Sequence, residues 1–472
     1  MNLDNIKIVK QGNFFVNFTK TNPLYGTYSK AGLFRKYRIA TSVFFFIAGL
    51  TFSTWASRIP AIQAKLHLSD AGLGGVLFAL PVGLMVSLPI SGWMVSRFGS
   101  KPLMIAAAIL YPADLFLLGS SASVLQLTAS LFLFGVLGNV LNIAMNTQAI
   151  GVEKLYKRSV MASFHGLWSL AGFSGALIGT FFVSQHLSPL IHFSIVALLA
   201  FGLVAFFFKY SLPHDVGSKK TEKLFVKPDK RILLLGMIAF CTLLCEGAMS
   251  DWSGVYFKKI VVAPATMITL GYVAFTATMA LGRFLGDSLV TKLGVKRMLK
   301  MSGAMITTGL TLAVIFPYLI TATVGFLLVG FGVSSVVPIV YGLAGKSKTM
   351  SPGTALASVS TIGFLGFLVG PPLIGFIAQA ISLRWSFTLI GILGFGTAVL
   401  GSRLLLEEVT GIQNDPEIDE SDLLTDVVPA RKGFVAWPEN GESRIANDKT
   451  ISQGRSRNGG FVAYPKRNRI VD

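Results

Sequence analysis

Two carboxylates, Glu246 and Asp251, interrupt an apolar run that extends from Ile232 to Val255. Ionisable groups in such runs are costly to keep and are functional candidates by default. Counted from Arg231, Glu246 lies about 22 Å along a helix rising 1.5 Å per residue, with Asp251 nearer its end. Either acid can exchange protons as its surroundings change, or serve as the fixed partner of a buried cation. His165 is the third candidate for proton exchange, because imidazole titrates near neutral pH. Its place by the cytoplasmic end suits a hydrogen bond to Glu153 or to a loop carbonyl just as readily. Asn139, Asn142 and Asn146 are spaced by three and four residues and share one helix face. Amides donate and accept hydrogen bonds, which suits hydroxyls, carboxylates or amides on a solute, although they also fasten helices to one another. Ser334 and Tyr341 recur at the positions that match Asn139 and Asn146. Trp55, Trp168 and Trp252 offer aromatic faces for the C–H face of a sugar or for a planar ring, and tryptophan is also common at membrane interfaces. Charged residues near the ends of apolar runs are candidates for gates: Arg58 as a latch with Asp251, Arg97 with Glu153, and Lys101, Asp287 and Lys292 beside them. Arg283 and Asp287, one turn apart, suit a local ion pair.

These side chains need elements to hold them, and composition says which. Of 472 residues, 52% are hydrophobic and only 13% charged, too few charges to cover a soluble globule of this size. Twelve apolar stretches of roughly 18 to 25 residues, each long enough to cross a bilayer as a helix, centre near Phe46, Leu84, Leu110, Phe134, Gly172, Leu198, Phe240, Thr276, Thr307, Leu328, Phe367 and Leu393. The second six repeat the first at an offset of about 195 residues. Ser96-Arg97-Phe98-Gly99-Ser100-Lys101 returns as Thr291-Lys292-Leu293-Gly294-Val295-Lys296, Gly135 as Gly330, and Trp55 as Trp252 with a slip of two. The expected fold is an all-α integral membrane protein with twelve transmembrane helices in two pseudo-symmetric six-helix bundles. Duplicated halves of this kind hold a solute site at their interface near mid-membrane.

The expected organisation is a polar tail over 1–36, a six-helix bundle over 37–208, a basic connector over 209–230, a second bundle over 231–406 and a disordered tail over 407–472. The net charge of +19 is distributed by side. Arg97, Lys101, Lys154, the lysine-rich connector, Lys292, Lys296 and Lys346 fall on one side, against only Arg58, Lys65, Lys258, Lys259 and Arg384 on the other. This positive-inside pattern puts both termini in the cytoplasm, with membrane lipids as partners and no role for nucleic acid. The first 36 residues lack a cleavable signal pattern, so the first span directs insertion. Cys241 and Cys245 sit one turn apart, where a disulfide is disfavoured and packing is the simpler role. Gly345-Lys346-Ser347 ends like a phosphate loop but lacks its first glycine and its strand, so ATP drive is not indicated. No metal or cofactor set is recognisable, and no enzyme chemistry. In the C-terminal tail, Gly433-Phe434-Val435-Ala436-Trp437-Pro438 returns as Gly460-Phe461-Val462-Ala463-Tyr464-Pro465, either a docking segment for a tail-binding protein or a neutral duplication.

The loop Gly92-Trp93-Met94-Val95-Ser96-Arg97-Phe98-Gly99-Ser100-Lys101 resembles the signature of the major facilitator superfamily, with Ser96 and, in the second copy, Thr291 where that signature carries an acid. The resemblance covers residues 37 to 406 and implies the major facilitator fold. Asn142-Ile143-Ala144-Met145-Asn146-Thr147-Gln148, the run Met161 to Ser169, and Glu246 to Tyr256 look like the YbjJ-type inner-membrane permeases, which are similar to the fucose-proton symporter branch. That likeness implies proton-coupled movement of a small polar solute, with Asn142 standing where the group tends to have an acid. The expectation is thus a monomeric secondary transporter in the bacterial cytoplasmic membrane, moving a small polar solute, a sugar among the candidates, with protons by alternating access. Two alternatives remain: efflux of an amphipathic drug or metabolite, which the asparagine stripe argues against, and a receptor or scaffold acting through its tail.

Overall fold

A computed structural model describes residues 30–156, 160–215, 228–347, 349–350 and 352–404. The duplicated tail segments, residues 1–29 and most of the connector lie outside the described residues. In a medium without water every backbone N–H and C=O must be paired internally, and the apolar stretches accordingly form helices. The first bundle contains α1 (Lys30–Ala56), α2 (Ile59–Lys65), α3 (Asp70–Leu77), α4 (Ala79–Phe98), α5 (Ser100–Ser120), α6 (Val124–Tyr156), α7 (Met161–Ser184) and α8 (Pro189–Phe207). The second contains α9 (Lys230–Lys259), α10 (Leu270–Leu293), α11 (Val295–Ile315), α12 (Leu319–Ser334), α13 (Val336–Gly345), α14 (Pro352–Ala380) and α15 (Leu383–Ser402). Twelve of the resulting helical spans are long and apolar enough to cross a membrane. The second span is made of α3 and α4, and the tenth of α12 and α13.

Each of those two spans breaks four residues before a proline. Pro81 has no N–H for the carbonyl of Leu77, where α3 ends, and Pro338 has none for Ser334, where α12 ends. Elsewhere side chains set the helix starts: Ser69 accepts from the Gly72 amide at 3.0 Å, Ser188 from Ile191 at 3.3 Å and Asp229 from Ile232 at 2.7 Å.

The duplication extends to backbone geometry. Gly99 (φ 83°) and Gly294 (φ 77°), 195 residues apart, each end one span and open the next in a conformation that favours glycine. His67 (φ 51°) and Val262 (φ 53°), at the same offset, hold left-handed turns at the opposite end. Gly135 packs its Cα against the Leu80 carbonyl, and Gly330 meets the equivalent carbonyl of Phe275. A side chain at either glycine would collide with backbone, so close helix approach is set by the same residue in both halves.

The bundles meet along two seams, α3 against α14 and α7 against α10. In the first seam Gly74 and Gly375 lie in direct contact, and a Cβ on Gly74 would stand 2.6 Å from the Pro371 carbonyl. Both free cysteines are buried within the second bundle, Cys245 near the Ile390 carbonyl. Hereafter the connector end is the end from which Tyr210 leaves and to which Lys230 returns, and the far end is opposite.

Candidate functional site

The centre of the molecule is built around Arg283 on α10. Its Nη2 donates to Glu246 Oε1 of α9 at 3.3 Å, while Nη1 donates to Ser169 Oγ of α7 at 2.6 Å. The guanidinium also lies over the Trp168 ring, 5.5 Å from its centroid. One cation therefore touches an acid of its own bundle and two side chains of the other bundle. The Glu246 and Arg283 side chains are 10% and 16% exposed, so the pair stands largely out of water. Buried Arg283 Nε has no partner among the described residues, which leaves the fork incompletely used. Ser169 passes the contact on, donating to the His165 carbonyl at 3.0 Å. His165 itself is exposed, sets its ring edge-on to Phe45 with centroids 5.3 Å apart, and is close enough to feel the Arg283 charge. Tyr272 and Tyr341 lie within electrostatic reach of Glu246.

This arrangement corrects the expected Arg283–Asp287 pair. Asp287 is exposed one turn further along α10, whereas Glu246 offers a buried oxygen on a neighbouring helix, where the guanidinium escapes lipid. The expected latch between Arg58 and Asp251 is also absent. Arg58, 3% exposed, donates from Nε to His192 Nδ1 at 3.2 Å and from Nη2 to the Leu187 carbonyl at 2.8 Å, both in its own bundle. Burial lowers its pKa to about 10. Asp251 is half-buried, near Tyr272, and joins no ion pair among the described residues.

The asparagine stripe divides. Asn139, 2% exposed, donates to Ser87 and Ser91 of α4 at 3.0 and 3.1 Å, which makes it a fastener between helices and not a solute contact. Asn142 is exposed and accepts from Asn146, which is half-buried, at 2.9 Å. Ser334 is likewise removed from the expected lining: it is 1% exposed, bonds to the Phe331 carbonyl and packs on Gly282. Trp55 and Trp252 are fully buried in the core, so neither is open to a solute in this conformation. Trp168 and Tyr341 are half-buried near the ion pair.

The expected gates at the connector end make local contacts. Glu153 Oε2 accepts from the Val160 and Met161 amides at 2.8 and 2.9 Å, thereby capping α7, while Arg97 is exposed and does not pair with it. Lys101 reaches the Ser211 carbonyl at 3.5 Å. Beside it Asp215 accepts from the amide, at 2.8 Å, and the hydroxyl of Ser100, and Gln148 donates to that hydroxyl at 2.7 Å. Lys292 and Asp287 are exposed and make no ion pair among the described residues. The far end carries the fastening instead. Lys259 Nζ meets Asp70 Oδ1 at 2.6 Å across the two bundles, and Gln63 Nε2 supports the same oxygen at 3.0 Å. Lys258 reaches the Pro60 carbonyl at 3.4 Å, and the Thr180 and Thr269 hydroxyls meet at 2.7 Å.

Sequence reasoning missed three features. The depth of Arg283 within its span signalled a buried acid as its partner. Asp70 and Lys259 flank turns related by the duplication, which was their only signal. Asp114, a lone acid in an apolar run, was not singled out; it is 2% exposed with neither carboxylate oxygen partnered.

The family model of the Major Facilitator Superfamily matches residues 41–350 and 256–446. An uncharacterized MFS-type transporter of Yersinia pestis is 34% identical over 358 residues, covering 75% of this chain and 92% of its own. The cis,cis-muconate transport protein of Acinetobacter baylyi is 25% identical over 379 residues, covering 76% and 90%. The solved D-xylose-proton symporter superposes with a TM-score of 0.64 at 12% identity, covering 79% of this chain and 98% of that one. Twelve apolar helices in duplicated halves, joined along two seams and matched by the family model over most of the length, place this chain in the major facilitator superfamily, as a membrane transporter and not an enzyme.

Proposed function

We propose that the protein is a proton-coupled secondary transporter that moves a small polar solute across a bacterial cytoplasmic membrane by alternating access. The observation that carries this reading is the double attachment of Arg283, to Glu246 in one bundle and to Ser169 and Trp168 in the other. Any rocking of the bundles changes what Arg283 can touch, and with it the environment in which Glu246 holds or loses a proton. Among the described residues, polar contacts between the bundles lie at mid-depth and at the far end. With that fastening at the far end, we read the solute path as opening at the connector end, which the charge bias assigns to the cytoplasm together with both termini.

Trp168, Tyr341, His165, Asn142 and Asn146 are the side chains we assign to the solute, with Glu246 as the proton site and Asp251 as a second acid on the same helix. The resemblance to YbjJ-type permeases and the fucose-proton symporter branch supports coupling to protons. The name of one relative, the cis,cis-muconate transport protein, adds a small acid to the sugar that the sequence suggested. The test is accumulation of labelled solutes of both kinds in proteoliposomes holding an inside-alkaline pH gradient. Uptake that a protonophore abolishes supports the reading, and uptake indifferent to the gradient removes proton coupling.

A further inference from the structure

We infer that the solute is a small organic carboxylate, and that it is recognised by displacing Glu246 from Arg283. This inference rests on the transport reading above and narrows its substrate class.

Arg283 is poorly satisfied by the partners it has. An arginine presents five N–H donors in a planar fork that suits two carboxylate oxygens at once. Here the acid takes one Nη at 3.3 Å, long for a charge-assisted bond, while the buried Nε has no partner among the described residues. A permanent structural pair at this depth should be tight and fully bonded, because an incompletely bonded buried ion pair does not offset the cost of removing both charges from water. The fork is instead held from the other side, by Ser169 at 2.6 Å and by the face of Trp168. Those two contacts fix the guanidinium while leaving its acid-facing edge free to change partner.

A solute carboxylate that pairs with Arg283 releases Glu246. The freed acid is faced by Tyr272 of α10, Tyr341 of α13 and, one helical stretch along, Asp251 of α9, and none of these is a cation. His165 of α7 lies within electrostatic reach of Arg283. The long flank of α9 packs on α14, which contains no ionisable residue. Glu246 without its cation must then take a proton, since a bare carboxylate there has no neutralising partner. The balance is one solute anion and one proton bound, with no net charge added to the site. A neutral sugar cannot perform this exchange, because it offers no negative charge in place of Glu246, whereas a sugar acid or a planar carboxylate can. The face of Trp168, beside the guanidinium, suits either kind of carbon skeleton.

The test uses the full-length protein in detergent with three matched pairs of probes: gluconate and glucose, benzoate and benzamide, succinate and succinamide. Thermal stabilisation and proton uptake in weakly buffered solution are read together. The expected result is stabilisation by at least one carboxylate and by none of its neutral partners, with about one proton taken up per solute bound. Arg283→Gln is expected to abolish binding and Arg283→Lys to weaken it at least tenfold, since lysine keeps the charge but loses the fork. Glu246→Gln is expected to bind the carboxylate at least as tightly as the parent and to take up no proton, which shows that the variant is folded. Equal stabilisation by neutral partners, carboxylate binding that survives Arg283→Gln, or no response to any carboxylate overturns the inference. Proton-coupled flux of glucose without carboxylate binding overturns it while leaving the transport reading intact. Carboxylate binding with the stated variant pattern but no flux in proteoliposomes upholds the site and defeats the transport reading.

Discussion

At the scale of single residues, the decisive choice is which carboxylate Arg283 takes. Spacing alone favoured Asp287, because sequence displays neighbours along one helix and conceals those across a helix pair. Glu246 was legible as a buried acid, and its partner was not, since the rotation of a helix that is apolar all round cannot be read from its pattern. The same limit explains Asn139. Its amide was visible as polar in a span, but Ser87 and Ser91 on α4 decide that it fastens helices. Asn139→Ala is expected to lower stability by about 1 to 2 kcal/mol and leave solute affinity within twofold, measured by unfolding in SDS and by ligand titration. A second residue-scale prediction concerns Asp229, which caps α9. The Ile232 amide, and then the Thr349 hydroxyl, hold its carboxyl below the usual range. A depressed acid stabilises only while ionised, so its contribution is full above about pH 4 and disappears as pH falls through the lower folded value. Asp229→Ala should therefore cost about 1 kcal/mol at pH 7, with the difference from the parent shrinking below about pH 4 in unfolding titrations.

At the scale of elements, helix existence was read correctly from hydropathy because the bilayer permits no other structure for such stretches. The breaks after Leu77 and Ser334 follow from Pro81 and Pro338, although proline alone did not announce them, since Pro89, Pro112, Pro371 and Pro372 remain inside continuous helices. The far-end seam could not be foreseen. Gly74 and Gly375 permit α3 and α14 to touch, and Asp70–Lys259 fastens the adjoining turns. An exposed pair of this kind contributes little by itself, so closure depends chiefly on backbone contact at the glycines. Gly74→Leu is expected to wedge the seam apart and expose Thr180→Cys in the second seam to a membrane-impermeant maleimide, raising its labelling several-fold. The charge swap Asp70→Lys with Lys259→Asp should leave that labelling near the parent level. Unchanged labelling in Gly74→Leu would show that the seam is not a gate.

At the scale of the whole molecule, the duplication is the feature that sequence and structure share most fully. It recurs in the connector-end glycines, the left-handed far-end turns and the paired contacts of Gly135 and Gly330. Two similar bundles joined at mid-depth by one cation form a natural two-state device, and a ligand or proton shifts such a device only through unequal affinity for its states. Proton control of the exchange between those states, acting through Glu246, is the central claim. It is tested most directly by double electron–electron resonance on the full-length protein in nanodiscs. One spin-label pair would sit at the far end, on Ala64→Cys and Val262→Cys, and another at the connector end, on Arg97→Cys and Lys292→Cys. With a saturating carboxylate present, lowering the pH from 8 to 5.5 is predicted to give opposite changes at the two ends, one distance distribution lengthening as the other shortens, and no pH response in Glu246→Gln. Distributions that stay fixed across that range, or that shift equally in Glu246→Gln, would contradict it.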